Sequence, residues 1–304
     1  MLGILKLIRW KNLLLIALVQ VLIKYALFEP FDVDVTLNGL GFSVLVIATL
    51  CLAAAGNVIN DIIDVKADTV NKPNKVIVGK TVSEKLAYRL FFVLNIFGIG
   101  LGFYLAQAVG KNAFFGMFVI ISAVLYIYST YLKQLPIIGN LIVSILVAFS
   151  LVIVAIFDLL PVINTDNRVT QHTFFKIVLD YAYFAFIFNM IREMVKDIED
   201  IEGDYKAQMS TLPIVLGRTR AGQIIFVLSL IPIPLISYYV YDLLYKQVLA
   251  VLYFLVFVIG PMIYISIKLF SAETKLQYRH ISLLLKCVML FGMLSMLIYP
   301  FILK

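Results

Sequence analysis

The chain consists of long hydrophobic runs separated by short polar segments. A helix that crosses a bilayer needs roughly 20 mostly apolar residues, and runs of about this length recur throughout the sequence. We predict nine membrane-spanning helices, near residues 11–28, 40–59, 86–109, 112–132, 138–160, 175–195, 219–241, 247–268 and 281–302. No long soluble segment separates them, and unpaired backbone groups are very costly in lipid. The pattern therefore predicts an all-α polytopic membrane protein with a single domain over residues 1–304.

The composition agrees with a membrane protein and excludes several other classes. The 304 residues are 62% hydrophobic and 14% charged, with a mean hydropathy of +1.01, whereas soluble domains carry about 25% charged residues. The net charge of +7 does not indicate nucleic-acid binding, because the basic residues are spread over short loops. The two cysteines and two histidines form no spacing typical of a disulfide, zinc or haem site.

The distribution of basic residues predicts an orientation. Of the 25 lysines and arginines, 18 fall on the side that holds the N-terminus and every second loop after it, and six fall on the other side. Cytoplasmic loops of membrane proteins carry an excess of Lys and Arg. We therefore expect an integral protein of the plasma or inner membrane with its N-terminus in the cytoplasm.

Two clusters of aspartates interrupt the apolar pattern. The segment N-D-I-I-D-V-K-A-D at 60–68 follows the second predicted helix, and K-D-I-E-D-I-E-G-D at 196–204 begins the loop after the sixth. In each cluster the aspartates stand at i, i+3 and i+7, which places them on one face of a helix. They are Asp61, Asp64 and Asp68 in the first motif, and Asp197, Asp200 and Asp204 in the second. Both clusters are predicted on the cytoplasmic side, so we expect them to share a cavity.

Such a concentration of carboxylates needs a counter-charge. Neighbours on one helix face lie roughly 5–6 Å apart, and each like pair repels by roughly 3 kcal/mol at an effective dielectric of about 20. Oxygen-rich, partly hydrated sites suit Mg²⁺, which is commonly bound by a few carboxylates together with substrate phosphates. The clusters therefore predict Mg²⁺ as a cofactor and a phosphate or diphosphate on the substrate.

Cations that would hold a phosphate group lie close to both clusters. Lys72 and Lys75 follow the first motif, Lys133 ends the fourth predicted helix, and Arg192 precedes the second motif. Lys and Arg are the usual phosphate partners. Anchoring at the membrane surface explains any one of these cations equally well, and an acidic run is often only a solvated loop. Two clusters of identical spacing on one side favour a functional site, because charges at membrane depth are costly.

These motifs resemble a known family. N-D-I-I-D-V-K-A-D resembles the N-D-x-x-D-x-x-x-D signature of the UbiA superfamily of intramembrane prenyltransferases, and D-I-E-D-I-E-G-D resembles its second aspartate motif. R-E-M-V-K-D-I-E-D-I-E-G-D followed by S-T-L-P is most similar to the digeranylgeranylglyceryl phosphate synthases of that superfamily. I-R-W-K-N resembles the family's Arg-Pro-x-Asn, with Trp10 in place of proline. Lys72 and Lys75 stand where Arg is typical, and Val76 where Pro is typical.

The resemblance implies nine helices around a central cavity and a Mg²⁺-dependent transfer of an isoprenyl group, geranylgeranyl in particular, from its diphosphate to a prenylglyceryl phosphate hydroxyl. It implies that the six aspartates hold Mg²⁺ and that Asp64, Asp68, Asp200, Lys133 and Tyr128 take part in catalysis. Tyr128 would face the allylic cation through its ring. The residues implied to contact the substrate are Arg9, Asn12, Asn57, Asn60, Lys72, Lys75 and Arg192. The isoprenoid tail would open sideways into the membrane lipids.

Two alternatives remain open from the sequence. The acceptor is an aromatic ring in the enzymes of quinone, tocopherol, chlorophyll or haem O biosynthesis, which resemble this chain in the same motifs. A cation transporter would also gather carboxylates in a membrane protein. Transporters usually place their ion sites near the bilayer midplane, whereas these aspartates are predicted at one membrane face.

Overall fold

The computed structural model describes residues 2–302, and within that range nine helices are long and apolar enough to cross a membrane. They are α1 (Trp10–Phe31), α2 (Gly39–Ile63), α3 (Glu84–Ala108), α4 (Asn112–Thr130), α5 (Ile138–Val162), α6 (Arg168–Lys206), α7 (Arg218–Leu244), α8 (Val248–Phe270) and α9 (Lys275–Phe301). The described residues contain no β-strand, apart from a single bridge between Val78 and Val82. The predicted all-α membrane fold with nine spanning helices is confirmed.

The helices pack side by side around a central space. The first helix, α1, lies against α2, α5 and α9, while α5 and α9 both pack on the long helix α6. The helices α3 and α4 cover α2 from outside, and α7 packs against α8. One apolar core joins the first five helices to the start of α6 and the end of α9, and a second joins the rest of α6 to α7, α8 and α9. The first and last spanning helices are therefore neighbours.

The sixth helix is longer than the sequence pattern predicts. It runs for 39 residues, Arg168–Lys206, so the second aspartate motif is helical and does not begin a loop at residue 196 as predicted. The prediction was wrong because the polar residues that resemble a loop are one face of a continuing helix. That face looks into the bundle, where Asp197, Asp200 and Asp204 line a cavity.

The first aspartate motif bends at its middle residue. Helix α2 ends at Ile63, and a short helix, Val65–Asn71, follows after Asp64. Asp64 has φ −80° and ψ 0°, yet its amide still donates to the Asn60 carbonyl at 2.9 Å. The helix is therefore interrupted at Asp64, although all three aspartates of this motif line the same cavity. The bend directs Val65–Asn71 onto α6.

The bundle has two chemically distinct ends. We call the end with the two aspartate motifs the motif end. At the opposite end, Lys24 of α1 forms an ion pair with Asp158 of α5 at 3.0 Å, and their side chains are 7% and 0% exposed. Lys24 also donates to the Leu37 carbonyl at 2.6 Å, and the Leu37 amide donates to Asp158 at 3.0 Å. This pair ties α1, α5 and the 32–38 loop together.

Candidate functional site

A cavity of about 1080 Å³ opens at the motif end, between α1, α2, α4, α5, α6 and α9. Its upper wall is polar and its deeper walls are apolar. All fifteen residues singled out from the sequence line it: Arg9, Asn12, Asn57, Asn60, Asp61, Asp64, Asp68, Lys72, Lys75, Tyr128, Lys133, Arg192, Asp197, Asp200 and Asp204. The two motifs therefore face the same space, although more than 120 residues separate them in the sequence.

Cations from two other elements pair with the first motif. The Arg9 guanidinium contacts Asp61 at 2.6 Å, and the Lys133 ammonium forms an ion pair with Asp64. Asn60 joins the second pair, since its amide donates to Asp64 at 2.7 Å and its oxygen accepts from Lys133 at 3.3 Å. Asp61 and Asp64 thus each contact a cation, supplied by the residue before α1 or by the segment after α4.

Local backbone features position these two cations. Arg9 has φ 54° and ψ 50°, a left-handed conformation that is costly for a residue with a side chain. It separates the short helix Leu2–Leu7 from α1 and is held by Asn57, which donates to the Ile8 carbonyl at 3.0 Å. Lys133 is held by close packing, because a Cβ atom at Gly139 would lie only 2.7 Å from the Lys133 Cα.

The second motif is joined to the first by Asn71. Its side-chain amide donates to the Asp200 carbonyl at 2.7 Å, and its oxygen accepts from the Gly203 amide at 2.8 Å. Gly203 allows this approach, since a Cβ atom there would lie 2.3 Å from the Asn71 amide nitrogen. Alongside, Lys72 pairs with Asp200 at 2.6 Å, and Asn140 of α5 donates to Asp197 at 2.9 Å. These contacts hold the two aspartate motifs together.

Three buried polar atoms of cavity-lining residues have no hydrogen-bond partner within the described chain. They are the Oδ1 atom of Asp200, the Nε atom of Arg192 and the hydroxyl oxygen of Thr211. Buried polar groups in native proteins are nearly always hydrogen-bonded, so these atoms mark places where a ligand would complete the pairing. Arg192 is otherwise held by Glu193 at 2.7 Å, which also accepts from Lys196 at 2.8 Å.

The carboxylates do not form a closed metal cage by themselves. Across residues 2–302, no group of three or more His, Cys, Asp or Glu side chains is arranged to hold a metal ion, and Lys or Arg neighbours already contact Asp61, Asp64 and Asp200. Burial raises the pKa of the Asp68 carboxyl above its usual range, and the charges of Asp64 and Asp61 raise it further. A cationic ligand would relieve this repulsion.

The deeper cavity has the character of a hydrocarbon pocket. One part lies between α1, α2, α4 and α5 and is lined by residues such as Leu52, Phe118, Leu125, Leu146 and Phe149. Another lies between α6, α7, α8 and α9 and includes Phe184, Ile236, Phe254, Val258 and Met293. Tyr128 lines the same cavity. A ligand with a polar head group would match the polar motif end, and its long apolar chain would match the deeper walls.

Sequence reasoning missed several residues of this site. Asn71, Asn140, Glu193, Lys196 and Lys286 line the cavity but were not singled out. Glu193 and Lys196 directly precede the second motif, so the length of the polar face on α6 was the available signal. Lys286 was noticeable as a lysine inside an apolar run. Asn71 and Asn140 are single amides that no local pattern distinguishes.

Comparison with known proteins agrees with this geometry. Residues 14–284 match the UbiA prenyltransferase family. Among curated proteins, the chain is 31% identical over 254 residues to digeranylgeranylglyceryl phosphate synthase of Korarchaeum cryptofilum, covering 81% of each chain. It is 30% identical over 260 residues to the protein of that name from Methanosphaera stadtmanae, covering 83% of this chain and 86% of the relative.

Solved structures share the fold at lower identity. A UbiA homologue from Aeropyrum pernix K1 superposes with a TM-score of 0.67 at 13% identity, covering 93% of this chain and 95% of the other. A UbiA homologue from Archaeoglobus fulgidus, solved with DMAPP and Mg²⁺, gives 0.55 at 16% identity and covers 97% and 99%. With its helices, its paired aspartate motifs and a family match over most of its length, the chain belongs to the UbiA prenyltransferase family.

Proposed function

We propose that this membrane prenyltransferase transfers a geranylgeranyl group from its diphosphate to the hydroxyl of a prenylglyceryl phosphate, and that the reaction depends on Mg²⁺. The observation that carries the proposal is the meeting of two aspartate motifs and their cations in one cavity with long apolar walls. The curated relatives described above are named digeranylgeranylglyceryl phosphate synthases. Membership of a prenyltransferase family decides against the alternative of a cation transporter.

The residues present fit a divalent cation. The available ligands are carboxylate and amide oxygens, which Mg²⁺ prefers, and the buried Oδ1 atom of Asp200 lacks a partner in the described chain. Mg²⁺ is usually bound by one or two carboxylates plus substrate phosphates, so a cage of three carboxylates is not required. The UbiA homologue from Archaeoglobus fulgidus was solved with Mg²⁺ and DMAPP, an isoprenyl diphosphate. The ligands we propose are Asp61, Asp64, Asp68, Asp197, Asp200 and Asp204.

The cations of the site would bind the diphosphate. Arg9, Lys72 and Lys133 now pair with aspartates, and a diphosphate placed between the motifs would share these donors. Arg192, whose Nε atom is unpaired, and Lys75 line the same cavity. When bound, Mg²⁺ supplies further positive charge to the departing diphosphate.

The bond that breaks joins the first carbon of the isoprenyl chain to the diphosphate oxygen. The electron pair leaves with the diphosphate, whose new charge is stabilised by the surrounding Lys and Arg donors. The carbon then gains a bond to the acceptor oxygen, whose proton passes to the departing diphosphate. Apolar walls exclude water from the allylic carbon, and the Tyr128 ring offers an electron-rich face to its positive charge.

We include in this proposal the orientation of the protein in the membrane, and one alternative acceptor competes with the prenylglyceryl phosphate. The distribution of Lys and Arg supports a cytoplasmic motif end and N-terminus. The competing acceptor is an aromatic ring, as in the enzymes of quinone, tocopherol, chlorophyll or haem O biosynthesis. The names of the curated relatives and the two apolar parts of the cavity favour a lipid acceptor over a small aromatic one.

The proposal is tested with purified protein, labelled geranylgeranyl diphosphate and a set of prenylglyceryl phosphate and aromatic acceptors. We expect transfer to the prenylglyceryl phosphate, loss of transfer in EDTA, and recovery when Mg²⁺ is added back. Asp64→Ala, folded as judged by its thermal unfolding curve, should be inactive under all these conditions. Transfer only to an aromatic acceptor, or transfer unaffected by EDTA, would overturn the proposal.

A further inference from the structure

Lys286 of α9 stands out among the charged residues of the cavity wall. It lies about 16 Å along the helix axis from the first residue of α9, well inside a membrane-spanning segment, and it lines the cavity. Its ammonium group donates to the Asn12 side-chain oxygen of α1 at 2.8 Å. Within residues 2–302, it forms no ion pair with a carboxylate. A cation at this depth with a neutral partner is costly unless an anion accompanies it.

The neighbourhood of Lys286 is itself positive. Its electrostatic neighbours include Arg192, Lys11 and Lys196. Among these, Arg192 and Lys196 already share one carboxylate, Glu193. Three of the six motif aspartates, Asp61, Asp200 and Asp64, are contacted by Arg9, Lys72 and Lys133 instead. Lys286 is therefore surrounded mainly by cations and pairs with no carboxylate of the described residues.

The wall below Lys286 is apolar on both neighbouring helices. On α9, Met289 and Met293 line the cavity three and seven positions after Lys286, a spacing that places them on the same helix face. On α1, Leu15, Ile16 and Val19 line it three, four and seven positions after Asn12. The ligand that matches this arrangement is amphiphilic, with an anionic head at Lys286 and a hydrocarbon tail between α1 and α9.

We propose that Lys286, oriented by Asn12, binds the phosphate of the acceptor lipid and so selects a phosphomonoester lipid as the acceptor. This inference rests on the proposed function, since it names the part of the site that recognises the acceptor. Asn12 lies three residues along the chain from Arg9, which contacts the first aspartate motif. Three helical residues rise about 4.5 Å, so the acceptor head would lie beside the donor diphosphate.

Binding of the acceptor is measured without any turnover. The chain has one tryptophan, Trp10, which lines the cavity close to Asn12, so its fluorescence reports ligand entry. The protein is titrated with geranylgeranylglyceryl phosphate and with geranylgeranylglycerol, the same lipid without phosphate. We expect the wild type to bind the phosphate lipid more tightly, and Lys286→Met to weaken that binding about 10- to 100-fold, as expected for a charge-assisted hydrogen bond.

Several variants separate recognition from folding. Lys286→Arg should keep most of the preference for the phosphate lipid, and Lys268→Met is the matched control, because Lys268 lies in α8 outside the cavity with its ammonium over Tyr264. In Lys286→Met, the steady-state KM for the acceptor should rise while the KM for geranylgeranyl diphosphate stays within about twofold of the wild type. Asn12→Leu combined with Lys286→Met should cost less than the sum of the two single changes.

The outcomes distinguish this inference from the proposed function. If the wild type binds the phosphate lipid tightly, Lys286→Met weakens that binding, and no prenyl group is transferred to the lipid, the proposed function would be contradicted and the role of Lys286 supported. A folded Lys286→Met protein that retains the wild-type preference for phosphate over neutral lipid would overturn the role of Lys286, whatever its transfer activity.

Discussion

The two ends of the bundle bury charge in different ways. At the opposite end, every polar atom of the Lys24–Asp158 pair is matched, since Lys24 contacts both carboxylate oxygens and the Leu37 carbonyl. At the motif end, Asp200 keeps a buried oxygen without a partner in the described chain, and Lys286 contacts only a neutral amide. A completed ion pair serves the fold, whereas an incomplete one leaves room for a ligand.

The largest effect is expected where the completed pair is broken. Asp158→Ala would leave Lys24 as an uncompensated buried cation, and removing one partner of such a pair costs about 3–5 kcal/mol of unfolding free energy. Thermal unfolding in detergent micelles measures this loss. The double variant Lys24→Met/Asp158→Leu should recover part of it, because no buried charge then remains and only the Leu37 amide and carbonyl stay unpaired. Prenyl transfer per folded molecule should be unchanged; a matching loss of activity would place the pair in the functional site.

At Asp200 we expect the opposite result, a large loss of activity with little change in stability. Asp200→Asn should lower kcat/KM about 1,000-fold, which corresponds to about 4 kcal/mol of transition-state stabilisation, because it removes charge from the proposed Mg²⁺ site. Its unfolding temperature should change little, since the substitution also relieves repulsion among neighbouring carboxylates. Glu202→Gln is the matched control, because Glu202 lies two residues away on an exposed position outside the cavity. Similar losses in both variants would contradict a specific role for Asp200.

At the contact between the two aspartate motifs we expect a smaller effect, which lowers both stability and activity. Gly203→Ala would force a Cβ atom within 2.5 Å of the Ala67 carbonyl oxygen, and overpacking of this kind costs about 1–3 kcal/mol. Both the unfolding temperature and prenyl transfer should fall, because Val65–Asn71 would be displaced from α6. Gly100→Ala is the control, since a Cβ atom there meets open space and alanine favours a helix. Equal stability of the two variants would contradict the tight approach at Gly203.

The sequence predicts the membrane fold well because the bilayer imposes a length on every spanning helix. All nine spans are found near their predicted positions. The errors concern where the helices end. The clearest case is α6, whose predicted end is residue 195 and whose observed end is Lys206. A polar helix face turned towards a cavity has the composition of a loop, so composition alone cannot distinguish the two.

The candidate site is predictable where its residues are close in sequence. The spacing within each motif and the resemblance to a family brought out the aspartates and their nearest cations. Asn71, Asn140 and Lys286 could not be found in this way, because each contacts a partner far along the chain, and Asn140 and Lys286 also lie far from both motifs in the sequence. The bend at Asp64 was also hidden, since an i, i+3, i+7 spacing is compatible with both a straight and a bent helix.

The hydrogen bond between Asn12 and Lys286 has a consequence for how the protein is made. It joins residues 274 positions apart, on the first and the last spanning helices. During synthesis both aspartate motifs are in the membrane well before α9 has emerged from the ribosome. A nascent chain at that stage carries the recognisable signature of its family but lacks one wall of its binding cavity. Competence to hold both substrates is therefore acquired only when the last helix is inserted beside the first.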